Sequence, residues 1–451
     1  MVYCKAITMN ILRVKRKCLE LLERVECQGA YLHIVLQKEA ERRSSAPEEY
    51  PVVVQLVRGV LEQRQRLEGV LKPLLPKGIE SLPVQVQLIL KLAAYQLCFL
   101  DRVKKRDVVF EAVQLVKEGR YRGLSGLVNA VLRKIEPADS FSLGVDESST
   151  MNFPDWLIER WGRQFGNDEV RAFCESCDRP LPLYLRVNTK KTNRYALREQ
   201  LQGEGLQVEL VDLSTVSLRV ESLPNDKRIQ HLKSFNDGMF FIQDLSSTLV
   251  GDLVSSTNPR LVRDLCAAPG GKTCSIALSI EVGAGEVRAS DRVASRVRLV
   301  EKLSASLGIT NVRCWEEDAR IEKIAETELY DAVLVDAPCS GFGTVGRKVD
   351  ARWSKSPDSL RELVALQGEL LARAAKLVKV GGFLIYSTCT IDREENEDVA
   401  EAFIKGCSGF VHSSVVDALP QAVCTAQGFY RAWPQRHSMA GAFAARFLRI
   451  E

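Results

Sequence analysis

The chain has 451 residues, too long for a single compact core, and its composition of 46% hydrophobic and 27% charged residues is that of an ordinary globular protein. No apolar run reaches the roughly 18 residues a membrane span needs, and the start, "MVYCKAITMNILRVKRKCLELL", scatters charges where a secretory signal would have an apolar block; a cytoplasmic protein without a membrane is expected. The net charge of +4 is uneven: residues 1–137 carry 24 Lys+Arg against 15 Asp+Glu, and the remainder 38 against 43, which suits either an appended nucleic-acid-binding module or a lysine-rich solvated surface.

Residues 1–137 read as all helix. Apolar residues recur at three and four, as in Leu88, Leu92, Tyr95, Leu97 and Leu100. "VVFEAVQLVKEG" repeats the pattern up to a glycine stop, and "GLSGLVNAVLRKIEP" gives a further helix ended by Pro137. The cluster "DRVKKRD", 101–107, suits phosphates or a solvated loop equally. Residues 138–150, "ADSFSLGVDESST", are polar and small and read as a linker.

Residues 150–245 read as a small α+β module. "FPDWLIERWGRQFG" is a helix with proline in its first turn, "PLYLRVNT" a strand, "KKTNRYALREQLQGEG" a helix, and "GMFFIQDLSSTLVGDLV" a strand running into a helix. "CESC", Cys174 and Cys177, has half the spacing of a zinc site or redox dithiol. It falls inside an amphipathic helical pattern, with no second pair nearby, so buried thiols are expected. The 13 cysteines are scattered and odd in number, so a disulfide framework is not expected.

From about 258 the pattern becomes strand, turn, helix, repeated: "LVRDLCAAPGGKT", "GEVRASD", "NVRCWEED", "YDAVLVDAPCS" and "GGFLIYSTC" are strands with helical stretches between. This alternation predicts an α/β fold with a parallel sheet covered by helices on both faces. Ligands of such sheets bind beyond the carboxyl ends of the strands. Asp264, Asp291, Asp318 and Asp336, a glycine turn, Cys339 and Cys389 all fall at those ends.

"CAAPGGKT" fails as a P-loop, because the position that needs the first glycine is Cys266. It reads instead as a turn allowing close backbone approach to a ligand. Asp291 can accept both hydroxyls of a ribose, and Asp318 an adenine amino group. Such a set of carboxylates repels phosphate and suits a positively charged nucleoside such as S-adenosyl-L-methionine better than NAD or ATP. The two thiols suit a reaction at carbon 5 of cytosine. A thiolate adding to carbon 6 makes carbon 5 nucleophilic; a base then removes the carbon 5 proton, and a carboxyl near ring nitrogen 3 stabilises the developing charge. Cys389, Cys339 and Asp336 supply these groups.

"DLCAAPGGKT", "DAPCSGFGT", the "RW" at 352–353 and "YSTCTIDREENE" resemble the RNA cytosine-carbon-5 methyltransferases of the NOL/NOP/Sun group. "AAYQLCFLDRV", "VFEAVQLVK" and "GLVNAVLRKI" are similar to the NusB-like domain of the bacterial Sun/Fmu branch, which methylates 16S ribosomal RNA. The resemblance covers nearly the whole chain. It implies a NusB-like RNA-binding domain at 1–137, a small α+β RNA-binding module at 150–245 and a class I (Rossmann-like) S-adenosylmethionine-dependent methyltransferase domain at 246–451. It further implies that Cys389 is the nucleophile and that Cys339 aids product release. Cys266, Ala267, Ala268, Pro269, Gly270, Gly271, Lys272, Asp291, Asp318 and Asp336 would contact the cofactor, and Asp336 and Lys272 would also reach the base. The partner implied is 16S rRNA, with the chain a monomer and no metal in the site.

Arg347 and Arg352 are expected to hold RNA phosphates. The family's usual basic-histidine-proline-aspartate run before the arginine-tryptophan is replaced here by "GRKVDARW", so the RNA-facing loop is expected to be altered. "DREENED", 392–398, has capping-box spacing between Asp392 and Glu395 and is read as a helix start. Two other readings compete: an RNA scaffold with an inactive methyltransferase half, against which the intact cysteines argue, and a nucleotide hydrolase, against which the missing glycine argues.

Overall fold

Why the first third is helical is visible in what each helix buries. The computed structural model describes residues 11–42, 49–101, 103–136, 151–222, 228–281, 283–321 and 328–451; the linker read at 138–150 lies outside them. Seven helices precede that stretch among the described residues: α1 (Ile11–Gln28), α2 (Leu32–Arg42), α3 (Glu49–Glu62), α4 (Arg64–Leu71), α5 (Val84–Phe99), α6 (Lys105–Glu118) and α7 (Ser125–Lys134). Helix α1 buries Val14, Cys18, Leu21 and Leu22, one stripe at a 3.6-residue period. Helix α5 is buried nearly all round, as its apolar sequence requires. Its one cation, Lys91, is 2% exposed and pairs with Glu68 at 2.8 Å and Glu26 at 3.4 Å.

The chain divides into two compact units. The first holds residues up to Asp178 together with a later piece, Arg347–Ser354. Two more helices belong to it, α8 (Asp155–Phe165) and α9 (Asn167–Cys177). Cys174 and Cys177 lie buried in α9, and burial first of all pushes both thiols up, Cys177 to about 12. Neither is in a disulfide.

The later piece is built into this unit. Val349 is fully buried in the helical core, Asp350 accepts a hydrogen bond from the Leu32 amide at 3.2 Å, and the Trp353 indole donates to the Leu61 carbonyl at 2.9 Å. The Arg352 side chain is fully buried. It donates to the Cys177 carbonyl at 2.8 Å, pairs with Asp178 at 3.3 Å and lies over the Phe153 ring at 4.6 Å. Arg352 therefore does not hold phosphate as expected: its side chain is buried, its two terminal nitrogens bond Asp178 and Cys177 and its flat face is covered, a role that suits arginine better than lysine. Arg347 is half-buried.

The second unit holds residues 179–346 and 355–451. A four-stranded antiparallel sheet comes first, with strands β1 (Leu183–Val187), β2 (Gln207–Leu210), β3 (Ser217–Ser222) and β4 (Phe240–Ile242) in the order β2-β3-β1-β4. Helix α10 (Arg194–Gly203), capped by the Asn193 side chain, buries Leu197 and Leu201 in the same core as β1. Helix α11 (Leu245–Ser255) follows.

The large sheet comprises β5 (Leu261–Asp264), β6 (Glu286–Asp291), β7 (Val312–Glu316), β8 (Tyr330–Asp336), β9 (Val378–Thr388), β10 (Phe410–Ser413), β11 (Tyr430–Ala432) and β12 (Ala442–Arg449). Its order is β10-β12-β9-β8-β5-β6-β7, with β11 beside β12. Helices α12 (Gly271–Ser279), α13 (Ala294–Leu307), α14 (Pro357–Ala375) and α15 (Glu397–Gly406) connect or cover the strands. Strand β8 shows why both faces need cover. Ala332 and Leu334 enter one apolar cluster, and Val333 and Val335 enter another.

The five strands β5 to β9 are mutually parallel, as the alternation predicts. At the carboxyl-terminal side the sheet departs from that expectation, for β12 runs antiparallel to β9, β10 and β11. From β5 the chain winds one way through β6 and β7, then crosses over to β8 and winds the other way to β9. The order therefore reverses between β5 and β8, which opens a crevice at their carboxyl ends.

Candidate active site

Four of the predicted residues meet at that reversal. Asp264 ends β5 and Asp336 ends β8. Strands β8 and β9 are parallel with Asp336 opposite Ser387, so the segments leaving them run side by side. That register brings the two cysteines together, with the sulfurs of Cys339 and Cys389 3.4 Å apart. Both are half-buried, and neither is in a disulfide.

Gly343 keeps the two loops close. Its amide donates to the Cys389 carbonyl at 3.0 Å, and the Gly441 amide donates to the Gly343 carbonyl at 2.8 Å. A Cβ on Gly343 would stand 2.0 Å from the Gly441 oxygen and 2.8 Å from the Cys389 oxygen, so only glycine fits.

Beside the thiols stands an ion pair. The Lys272 ammonium donates to Asp336 at 2.8 Å, and the Ser387 hydroxyl donates to its other oxygen at 2.7 Å. Burial works to lower the Lys272 pKa, yet the Asp336 carboxylate outweighs it and holds the ammonium above the ordinary lysine value. The Cys389 sulfur also acts on Lys272 in the same direction. Cys339 is the opposite case: its thiol is pushed well up, first by its hydrogen bond with Cys389, then by burial and the Glu395 charge.

Lys272 sits at the start of α12, reached by the turn from β5. Gly270 there has φ +104°, and a Cβ would come 2.9 Å from the Val300 Cα; glycine lets the turn lie against α13. Asp291, buried at the end of β6, accepts from the Ala268 and Val293 amides and from Arg296 at 3.2–3.3 Å. A carboxylate offers about four acceptor sites, so these three donors leave about one for a ribose hydroxyl. Cys266 is raised by burial and is packed rather than reactive. Asp318 lies two residues beyond β7, where Arg320 grips both its oxygens at 2.6–3.2 Å and holds its carboxyl down at about 2.

Asp264 is fully buried. It accepts the Thr273 hydroxyl at 2.7 Å, while its Oδ1 has no hydrogen-bond partner. Burial raises its pKa to about 7 despite the Thr273 bond. The folded state thus keeps a proton that an unfolded Asp gives up near pH 4. Stability is fully present below about pH 4 and is lost as the pH rises through 7. Melting curves should show wild type weakening relative to Asp264→Asn between pH 5 and pH 8, by roughly 3 kcal/mol. Parallel pH profiles for the two proteins would refute this assignment.

The stretch 392–398 holds a helix start, as read, but without the expected cap. Helix α15 begins at Glu397 after Asn396, and Glu395 is fully buried instead of capping. Its carboxylate is taken by Ser340, next to Cys339, and by Gln367. No local pattern reports this, because its partners lie 28 and 55 residues away in sequence. Ser387 was also missed, although the β8–β9 register places it opposite Asp336. An apolar cavity of about 810 Å³ between α14 and α15, lined among others by Val364, Ala372, Val399 and Phe403, contains none of these groups.

Residues 253–448 match the family described as 16S rRNA methyltransferase RsmB/F, residues 13–137 the NusB family, and residues 153–225 the ferredoxin-like domain of RsmF/B-like methyltransferases. The chain is 34% identical to the probable ribosomal RNA small subunit methyltransferase B of Bacillus subtilis (strain 168), over 87% of this chain and 88% of that protein. The chain belongs to the RsmB/F family of 16S rRNA methyltransferases. The crystal structure of PH0851 is similar to this RsmB/F chain over 97% of it and 98% of the other, with TM-score 0.78 and 26% identity. A methyltransferase homolog protein from Pyrococcus horikoshii matches 68% of this chain over its own full length, with TM-score 0.58 and 25% identity. The RsmB/F assignment agrees with the class I order of the large sheet, and the NusB match falls on α1 to α7.

Proposed function

We propose that the chain transfers a methyl group from S-adenosyl-L-methionine to carbon 5 of a cytidine in 16S rRNA, through a covalent bond between Cys389 and carbon 6 of the base. The observation that carries this reading is the pair of thiols 3.4 Å apart, next to the Lys272–Asp336 pair at the point where strand order reverses.

The donor set suits the cofactor. The buried Asp291 carboxylate ends β6, the Asp336 carboxylate ends β8, a glycine turn follows β5, and this array repels phosphate but accepts a cationic nucleoside. Asp291 would hold the ribose, Asp318 the adenine amino group, and the segment from Cys266 to Lys272 the remainder. When bound, S-adenosylmethionine supplies an electrophilic methyl on its sulfonium.

The protein's own groups do the rest. The Cys389 sulfur adds to carbon 6, and the electron pair of the 5,6 double bond shifts so that carbon 5 becomes nucleophilic. The negative charge that grows toward nitrogen 3 meets the proton shared by Lys272 and Asp336. After carbon 5 is methylated, Cys389 is bonded to carbon 6 and no longer holds the Cys339 proton in place. Cys339 therefore gives that proton to water and its thiolate takes the carbon 5 proton; the double bond re-forms and the Cys389 sulfur leaves as a thiolate. The base must be unpaired or flipped to reach the thiols.

The test is to incubate the purified chain with 16S rRNA and methyl-labelled S-adenosylmethionine and to digest the RNA to nucleosides. Label is expected in 5-methylcytidine. Label confined to another nucleoside, or none at all, would overturn the reading.

A further inference from the structure

We propose that Glu395 is a positioning residue of this reaction, whose buried carboxylate sets the loop bearing Cys339 against the loop bearing Cys389; the inference rests on the roles proposed above for the two thiols. Glu395 is fully buried. Its Oε1 accepts the Ser340 amide at 2.8 Å and the Gln367 side chain at 3.0 Å, and its Oε2 accepts the Ser340 hydroxyl at 2.5 Å. The same Gln367 amide donates to the Pro338 carbonyl at 3.0 Å. The residues on either side of Cys339 are therefore both tied to this one carboxylate or its partner.

The tie extends to the second cysteine. The Ser340 and Thr390 hydroxyls are 2.7 Å apart, and Thr390 directly follows Cys389. Tyr386, three residues before Cys389, donates its hydroxyl to the Glu395 carbonyl at 2.6 Å. One residue thus touches three segments: its carboxylate bonds Ser340 and, on α14, Gln367, and its backbone carbonyl bonds Tyr386. The bonds to the carboxylate are charge-assisted, which makes them short and directional.

An anion buried among neutral donors is a poor way to gain stability, since an apolar side chain would avoid its desolvation. What a carboxylate does here that an apolar group cannot is fix direction. It makes three bonds at two oxygens, and two of those bonds end on the residue next to Cys339. Without them the Ser340 amide, its hydroxyl and the Gln367 amide must seek other acceptors, and Cys339 moves with them.

The experiment compares wild type, Glu395→Ala, Glu395→Gln and Cys339→Ser for multiple-turnover methylation and for covalent RNA–protein complex on denaturing gels. A displacement of about 1 Å costs roughly 10²-fold in rate. Glu395→Ala should lose about that factor in kcat, with KM for RNA within about twofold, and should accumulate the covalent complex as Cys339→Ser does. Glu395→Gln keeps an acceptor for the Ser340 amide and a group to bond its hydroxyl, so it should stay within about fivefold of wild type.

Wild-type rates in Glu395→Ala would overturn the inference. So would equal losses in Glu395→Ala and Glu395→Gln, or a loss without trapped RNA while Cys339→Ser traps it. If Cys339→Ser itself traps nothing, the thiol roles fail, and Glu395 is then judged by its kcat loss and its rescue by glutamine. Where Glu395→Ala folds poorly, Ser340→Ala removes the hydroxyl bonds to Glu395 and Thr390 while leaving the amide bond, so it should trap RNA with a smaller loss in kcat; wild-type rates with no trapped RNA in Ser340→Ala would overturn the inference.

Discussion

Cys389→Ser should abolish methyl transfer, whereas Cys339→Ser should leave RNA covalently attached to the protein, seen as a slow band on a denaturing gel. A serine hydroxyl ionises far less readily than a thiol, so without an added base it does not attack carbon 6. The asymmetry between the two thiols comes from their neighbours. Cys339 is pushed well up, first by its bond with Cys389 and also by burial and Glu395, so it holds its proton. Lys272 acts on Cys389 as a nearby cation, and its ammonium is stabilised in turn by the Cys389 charge. A cation beside that sulfur favours its attack on carbon 6. With Cys389 intact and Cys339 replaced, attack and methylation proceed but release fails. RNA trapped by Cys389→Ser, with simple loss in Cys339→Ser, would reverse the roles.

Asp336→Asn should lower turnover by about 10²–10³-fold, the scale of removing one electrostatic stabiliser from a reaction centre. The substitution keeps the shape and an acceptor for Ser387, but it strips the carboxylate from Lys272. The ammonium, 13% exposed, is then left without its bonded anion. Breaking a buried pair costs several kcal/mol; Asp336 is 28% exposed, so about 2 kcal/mol of stability is expected here. The two losses separate in measurement, since a thermal melt reports the second and single-turnover methylation at saturating RNA reports the first. Methylation within a few-fold of wild type would remove Asp336 from the chemistry.

Both predictions use residues legible in the sequence, and the reason is geometric. Asp336 ends an apolar run, and a strand buried on both faces leaves its first polar side chain at the end of the run. Asp264 and Asp291 end strands that carry other polar residues and are placed by the strand–turn–helix alternation. Cys339 and Cys389 follow two apolar runs, so the parallel register alone brings them together. Asp318 was less well placed, because β7 stops two residues earlier and the carboxylate turns to Arg320. Glu395 and Arg352 were misread for the opposite reason. Glu395 sits three residues after Asp392, a spacing that mimics a cap, but its bonds run to Ser340 and Gln367. Arg352 carries a charge that suggests phosphate, yet its partners, Cys177 and Asp178, precede it by more than 170 residues. Local patterns report neighbours within a turn or two and are silent on such distances.

The placement of Arg347–Ser354 bears on the order in which this protein can be made. A chain leaving the ribosome exposes α1 to α9 long before Trp353 and Arg352 emerge, and it must first thread out residues 179–346. Until then the Leu61 and Cys177 carbonyls and the Leu32 amide have only water to bond, and the seat of Val349 stays empty. The amino-terminal helices therefore form a nascent body that waits, unfinished, for a late-arriving segment, and a fragment cut after Asp178 is expected to melt well below the full-length chain.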